Sequence, residues 1–167
     1  GVGVTLFPDS LIGFQYNPVM NITTCILVLA GGFGFLAIAE LRYMIDFKHK
    51  PIRRISLHTR LATYGTFIVI AVSTAVFAFT EYNNLFSGHT FGENAQSALF
   101  MTFTSRTAGL NSVNIPDLTQ ASLFFFIIIM FIGANPGSCG GGIKITTAAV
   151  IFLLGINRLL GREKTQV

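Results

Sequence analysis

Apolar positions along the chain gather into three long runs separated by polar stretches. The first runs from Val19 to Leu41 with Glu40 as its only charge, and the second from Leu61 to Thr80 with none. About 20 mostly apolar residues are needed for a helix to cross the hydrocarbon core, so 19–41 and 61–80 are predicted transmembrane spans. Tyr16 and Tyr43 bracket the first, and Tyr64 and Tyr82 lie near the ends of the second, as suits the headgroup zone. The third run, 118–160, is too long: one straight helix would measure about 65 Å against a core of about 30 Å. It carries its own interruption, Gly133-Ala134-Asn135-Pro136-Gly137-Ser138-Cys139-Gly140-Gly141-Gly142. Proline removes a donor and clashes with the preceding turn, and glycine disfavours helix.

Two arrangements satisfy that pattern, a hairpin of two short spans or one crossing broken at membrane depth. Charge decides between them. Arg42, Lys48, Lys50, Arg53, Arg54 and Arg60 lie in the linker 42–60, and Arg158, Arg162 and Lys164 at the end of the chain, while Glu81, Glu93 and Asp117 lie in 81–117. Cytoplasmic loops carry the cations, so the linker and the C-terminus are expected inside and 1–18 and 81–117 outside. That requires an odd number of crossings after the linker's second span, hence a broken third span with a cytoplasmic tail, 161–167.

Segment 81–117 holds a helical stretch from about Glu93 to Thr104, with Ala95, Ala98, Leu99 and Phe103 on one face. At ~12 residues it is too short to cross and fits a re-entrant helix. Thr104-Ser105-Arg106-Thr107-Ala108-Gly109-Leu110-Asn111 follows, then Pro116. Span, re-entrant helix, glycine-containing loop and span make the plan of a pore module. The expected fold class is therefore an all-α membrane protein with a potassium-channel-like span–pore-helix–span repeat.

Composition agrees: 51% of residues are hydrophobic and 11% charged, against about 25% charged in soluble domains. Mean hydropathy is +0.65. Disorder and a disulfide-stapled mini-protein are excluded. The net charge of +4 is concentrated in loops between apolar runs, which argues against nucleic-acid binding. Cys25 and Cys139 give no framework, and His49, His58 and His89 have no metal spacing. No catalytic constellation is recognisable. The chain opens on Gly1, and a piece of a longer protein is expected.

Chemistry is then expected at two loops. In Thr107-Ala108-Gly109-Leu110, backbone carbonyls would replace an ion's hydration shell, with glycine letting them turn together and the short helix aiming its negative end at the ion. The alternative is an ordinary outer loop. Arg106, costly at membrane depth, is expected beside the ion path, bracing carbonyls of a neighbouring loop, or else as an exposed rim charge. Gly137 to Gly142 matches the start of a phosphate-binding loop, but Ile143 precedes Lys144, Ile145 follows it, and no strand leads in, so nucleotide binding is disfavoured. The loop is read as an obstruction that moves aside on glycine hinges, or as a static kink. Lys144, Thr146 and Thr147 are expected to satisfy backbone groups or face the cavity. Asn21, Thr23 and Thr24 are read as bonding their own helix, and Gly31, Gly32 and Gly34 as close-packing positions.

These motifs resemble a known family. Thr104-Ser105-Arg106-Thr107-Ala108-Gly109-Leu110-Asn111 is similar to the third filter segment of the Trk/Ktr/HKT superfamily of potassium transporters. The stretch from Gly133 to Thr147 is similar to that family's intramembrane gating loop, and Arg54-Ile55-Ser56-Leu57-His58-Thr59-Arg60 to the linker before its third repeat. Within the superfamily, the membrane subunit of bacterial Ktr systems is nearest. The resemblance covers essentially the whole chain. Leu110 and Cys139 depart from it, at positions where Phe and Ser or Thr are expected.

The resemblance implies four repeats around one pore, of which this chain holds the end of the second and the third. It implies potassium filter residues Ser105, Thr107, Ala108, Gly109 and Leu110, with Gly3 at the end of the second filter, and ion contact through the carbonyls of Thr107, Ala108 and Gly109. Arg106 and Asn111 would support the filter. The gate would comprise Gly133, Asn135, Pro136, Gly137, Ser138, Cys139, Gly140, Gly141, Gly142 and Lys144. Potassium transport across the cell membrane, sodium as a coupling ion, a homodimeric subunit and a KtrA-like cytosolic nucleotide-binding ring follow by the same analogy. The competing readings are a channel of four identical chains and a membrane-embedded nucleotide-binding subunit.

Overall fold

A computed structural model describes residue 5 and residues 10–45 and 56–161 of the chain. Expectations for Gly3, for most of the basic linker and for the cationic tail lie outside these residues. The described part is helical, with one isolated bridge, Ile132 to Ile143, as its extended pairing.

Helix α1 spans Pro18–Gly32. Asn17 starts it by accepting from the Val19 and Met20 amides, and Pro18 stands at the first position, where its missing N–H costs nothing. The single helix expected over 19–41 is not what forms. Gly34 takes a left-handed conformation at φ 82°, and the chain resumes as α2, Phe35–Ile45. Sequence had assigned Gly31, Gly32 and Gly34 to helix packing. The break instead receives a loop: a Cβ on Gly34 would collide with the Pro136 carbonyl.

Helix α3, Leu57–Thr80, is the one described helix long and apolar enough to cross a membrane. Its 24 residues reach about 36 Å at ~1.5 Å each. It starts ahead of the expected Leu61 because Ser56 caps it, accepting from the Thr59 amide at 3.3 Å. Glu40 of α2 holds Ser56 in turn, accepting from its hydroxyl at 2.9 Å and its amide at 3.2 Å, so the two ends of the basic linker are fastened together.

Helix α4, Phe91–Phe103, matches the expected short helix and begins with a capping box between Thr90 and Glu93. It continues as a π-turn, Thr104–Ala108. The third run is broken where glycine and proline predicted, into α5, Gln120–Phe131, and α6, Ile145–Leu159. The bridge between Ile132 and Ile143 is parallel, so the chain leaves the intervening loop in the direction in which it entered.

Helix α3 packs against α2, α4, α5 and α6. Its Phe77 centres a core with Phe86, Ala98, Met101, Val113 and Leu118, and meets Phe125 edge-on at 5.3 Å. Hydroxyl pairs stitch the helices, Thr74 with Thr102 at 3.2 Å and Thr80 with Ser122 at 2.7 Å. Short polar side chains suit interfaces in which lipid offers no alternative partner.

The distribution is inverted relative to a water-soluble domain. Asn21, Thr66, Ser97, Thr102, Ser122 and Asn135 are buried, whereas Phe79, Phe91, Phe124 and Phe131 are exposed. Such a surface belongs in lipid or against further protein.

Candidate functional site

The first loop grows from the end of α4. The π-turn over Thr104–Ala108 widens the backbone there, a feature that recurs at functional positions, and Gly109 closes it in a left-handed conformation at φ 69° and ψ 11°. Ser105, Arg106 and Ala108 are buried, and Gly109 is exposed. The Ser105 hydroxyl donates to the Thr102 carbonyl at 2.8 Å and holds the turn against α4.

The hydrogen bonds sort the loop's carbonyls. Leu110 O accepts from the Thr104 hydroxyl at 2.6 Å, and Asn111 O accepts from the Leu11 amide at 2.8 Å. The Asn111 amide donates to the Ser10 hydroxyl at 2.9 Å. Among the described residues no donor reaches the carbonyls of Thr107, Ala108 or Gly109. Among the described residues three successive carbonyls are thus uncommitted at the negative end of α4. Leu110, which sequence grouped with them, has its carbonyl engaged. Asn111 is tied through its backbone to Ser10 and Leu11.

Arg106 is 8% exposed, which removes the rim-charge alternative. The expected brace is not formed among the described residues: Nε is buried without a partner. The residue instead lines a cavity of about 20 Å³ with Val28, Leu29, Gly32, Thr66, Phe103 and Ala134, room for about one water. Residues beside both loops therefore share one cavity wall.

The second loop is the glycine-rich one. Its neck is closed by Gly133 N–H to Ile143 O at 2.9 Å and Ile143 N–H to Phe131 O at 3.0 Å. Gly142 has φ 77°, and a Cβ there would lie 2.9 Å from the Gly133 Cα. Glycine is required on both sides of the neck, because a Cβ on Gly133 would overlap the Gly141 carbonyl. Lys144 folds back to donate to Gly140 O at 2.6 Å, satisfying backbone as sequence anticipated.

The loop's tip docks on the break between α1 and α2. Ending a helix orphans its last carbonyls, and the loop supplies donors for them: Asn135 N–H to Gly32 O at 3.3 Å, Cys139 N–H to Gly31 O at 3.4 Å, and Asn135 Nδ2 to Phe33 O at 3.3 Å. Gly137 O accepts from the Phe35 amide at 3.1 Å, opening α2. Asn135 is wholly buried. Its Nδ2 also donates to Thr66 Oγ1 at 3.0 Å, and the Ser138 hydroxyl donates to its carbonyl. Pro136 turns the tip toward Gly34. Thr66 and the α1–α2 break were missed in the sequence because a contact 69 residues away has no local signature.

Glu81, read only as an outer-side acid, is another buried group. It is 0% exposed and follows the last residue of α3. Burial pushes its carboxyl up, but the Ser122 hydroxyl, the Asn84 amide and the Thr119 N–H and hydroxyl outweigh that and hold it below the usual value of 4.5. Thr119 N and Oγ1 reach Oε1 at 2.9 and 2.8 Å, and Asn84 reaches Oε2 at 2.8 Å.

Residues 1–167 match the TrkH family, described as cation transport protein. The chain belongs to that family. It is 31% identical to the Ktr system potassium uptake protein B of Bacillus subtilis across 99% of this chain and 36% of that protein. It is 34% identical to the Ktr system potassium uptake protein B of Vibrio alginolyticus, across 90% and 33%. The potassium/sodium uptake protein NtpJ of Enterococcus hirae is 30% identical across 90% and 33%. The TrkH-family chain thus spans about a third of the length of these relatives. These relatives are named for uptake of potassium, or of potassium and sodium.

Proposed function

We propose that this chain supplies one filter segment and the gate of a potassium-conducting pore in the cell membrane. In this reading α3 and the α5–α6 pair are the two crossings of a repeat, and α4 is its re-entrant pore helix. Thr107, Ala108 and Gly109 present carbonyls to the ion, where they replace water of hydration. The observation that carries the reading is the sorting of carbonyls: those of Leu110 and Asn111 are engaged, and among the described residues no donor reaches the three before them.

The glycine-rich loop is the gate. Held across the path by its docking on the α1–α2 break, it blocks flow, and it opens by releasing those bonds. The remaining repeats complete the ring of carbonyls. A homodimer of the full-length subunit, sodium coupling and a cytosolic nucleotide-binding ring belong to the same proposal, supported by the likeness to Ktr system proteins. The cations of the linker 42–60 and of the tail support a cytoplasmic side for both.

The test is potassium uptake by the full-length protein in a host lacking its own uptake. Gly109→Ser forces a side chain into the left-handed region and should lower uptake about ten-fold, the equivalent of ~1.4 kcal/mol of strain. Undiminished uptake with normal protein abundance rejects Gly109 as a filter residue.

A further inference from the structure

Ser10 lies outside every motif recognised in the sequence, yet it is the one described non-glycine residue at positive φ, 56°. An L-residue pays about 1–2 kcal/mol for that conformation, so something must hold it there. Its hydroxyl accepts from the Asn111 amide at 2.9 Å, and the next residue, Leu11, donates its amide to Asn111 O at 2.8 Å. Both polar groups of the Asn111 backbone are thereby clamped by two consecutive residues far away in the chain, Ser10 and Leu11. Leu11 is buried, 6% exposed, and anchors the clamp.

In the same peptide unit as the Asn111 N–H, the Leu110 carbonyl accepts from the Thr104 hydroxyl at 2.6 Å. The Leu110–Asn111 peptide plane that follows Gly109 is thus held through both of its polar groups, by Thr104 and by Ser10. If either hold is lost, the neighbouring Gly109 can absorb the change, since glycine populates both signs of φ.

We propose that Ser10 is a positioning residue for ion discrimination: its hydroxyl, presented by a left-handed backbone, fixes the Asn111 amide and through it the direction of the Ala108 and Gly109 carbonyls. This rests on the filter reading above. A carbonyl site that discriminates between ions depends on where its oxygens are held, so loosening should admit the wrong ion rather than abolish flow.

Three substitutions separate the hydroxyl from the backbone. Ser10→Gly keeps the left-handed conformation at ease and removes the acceptor. Ser10→Asn tolerates that conformation and restores an acceptor. Ser10→Ala removes the acceptor and keeps the strain. In the full-length protein, potassium and sodium uptake are measured at matched abundance in the membrane, with Gly109→Ser alongside. A net hydrogen bond corresponds to roughly a three- to ten-fold effect, so Ser10→Gly should lower the potassium-to-sodium uptake ratio by that factor, with Ser10→Asn near the unsubstituted protein. If Ser10→Gly fails to accumulate, Ser10→Ala carries the same comparison. An unchanged ratio in Ser10→Gly with an altered one in Gly109→Ser overturns the role of Ser10 and spares the filter. Unchanged ratios in both overturn the filter reading and this proposal with it. Equal losses in the Gly and Asn variants also overturn it, because the acceptor is then irrelevant.

Discussion

Asn135 shows what one side chain does for a loop that has no regular structure. Its amide nitrogen reaches Phe33 O and Thr66 Oγ1, and Thr66 Oγ1 in turn reaches its Oδ1 at 3.3 Å. Asn135→Asp keeps the shape and leaves an acceptor where donors are needed, facing the Phe33 carbonyl. A buried group left without its partner costs about 1–3 kcal/mol. The expected outcome for Asn135→Asp is a lower melting temperature of the purified full-length protein, together with faster potassium flux because the loop is held less firmly. Lower stability without a change in flux would mean the docking is structural and does not gate. Sequence placed Asn135 in the loop correctly, since Pro and Gly flank it, but Thr66 read as one more residue of an apolar helix. Arg106 divided the same way: the cost of a cation at depth foretold a special environment, whereas its cavity is assembled from α1, α3 and the second loop, which no local pattern encodes.

Breaks and joins between helices follow from where carbonyls and carboxylates find partners. The third run had to break on length alone, and its glycines and proline say where. The break between α1 and α2 was not legible, because Gly31, Gly32 and Gly34 suit tight packing and helix breaking alike; the decision lies with the docked loop. Glu81 joins the end of α3 to the start of α5, since its acceptor Oε1 holds Thr119, the residue that caps α5. A carboxylate at the N-terminus of one helix gains from its dipole, which offsets its burial. A carboxyl held below 4.5 in the folded protein contributes stability that is complete above that value and is lost as pH falls through the lower folded value. Melting temperature should therefore be level near neutrality and decline below about 4.5. Glu81→Gln, which keeps one acceptor and drops the charge, should melt lower at neutral pH by the equivalent of about 1–3 kcal/mol and show a flatter acid limb. An acid limb identical in both proteins would assign that decline to other carboxyls.

Across the described residues the two loops lie close in space yet are held by different partners. The carbonyl loop is held by Thr104, Ser10 and Leu11, and the glycine-rich loop by α1, α2 and Thr66; these two sets of hydrogen bonds have no residue in common. Which ions pass and how fast they pass should then respond to different substitutions. Removing residues 137–142 deletes the Gly137 and Cys139 contacts with the α1–α2 break. Each lost bond is worth about 1 kcal/mol, enough together to move a closed population toward open by roughly thirty-fold. Potassium flux should rise by about that factor, and sodium flux with it, leaving their ratio where it was. Gly109→Ser should do the reverse, changing the ratio and lowering the flux. Flux of both ions measured in the full-length protein, with each change alone and with the two combined, decides the matter: independent loops give effects that multiply. A deletion that shifts the ion ratio would place the glycine-rich loop in the filter itself, and one that leaves flux unchanged would reduce it to a kink between two half-helices.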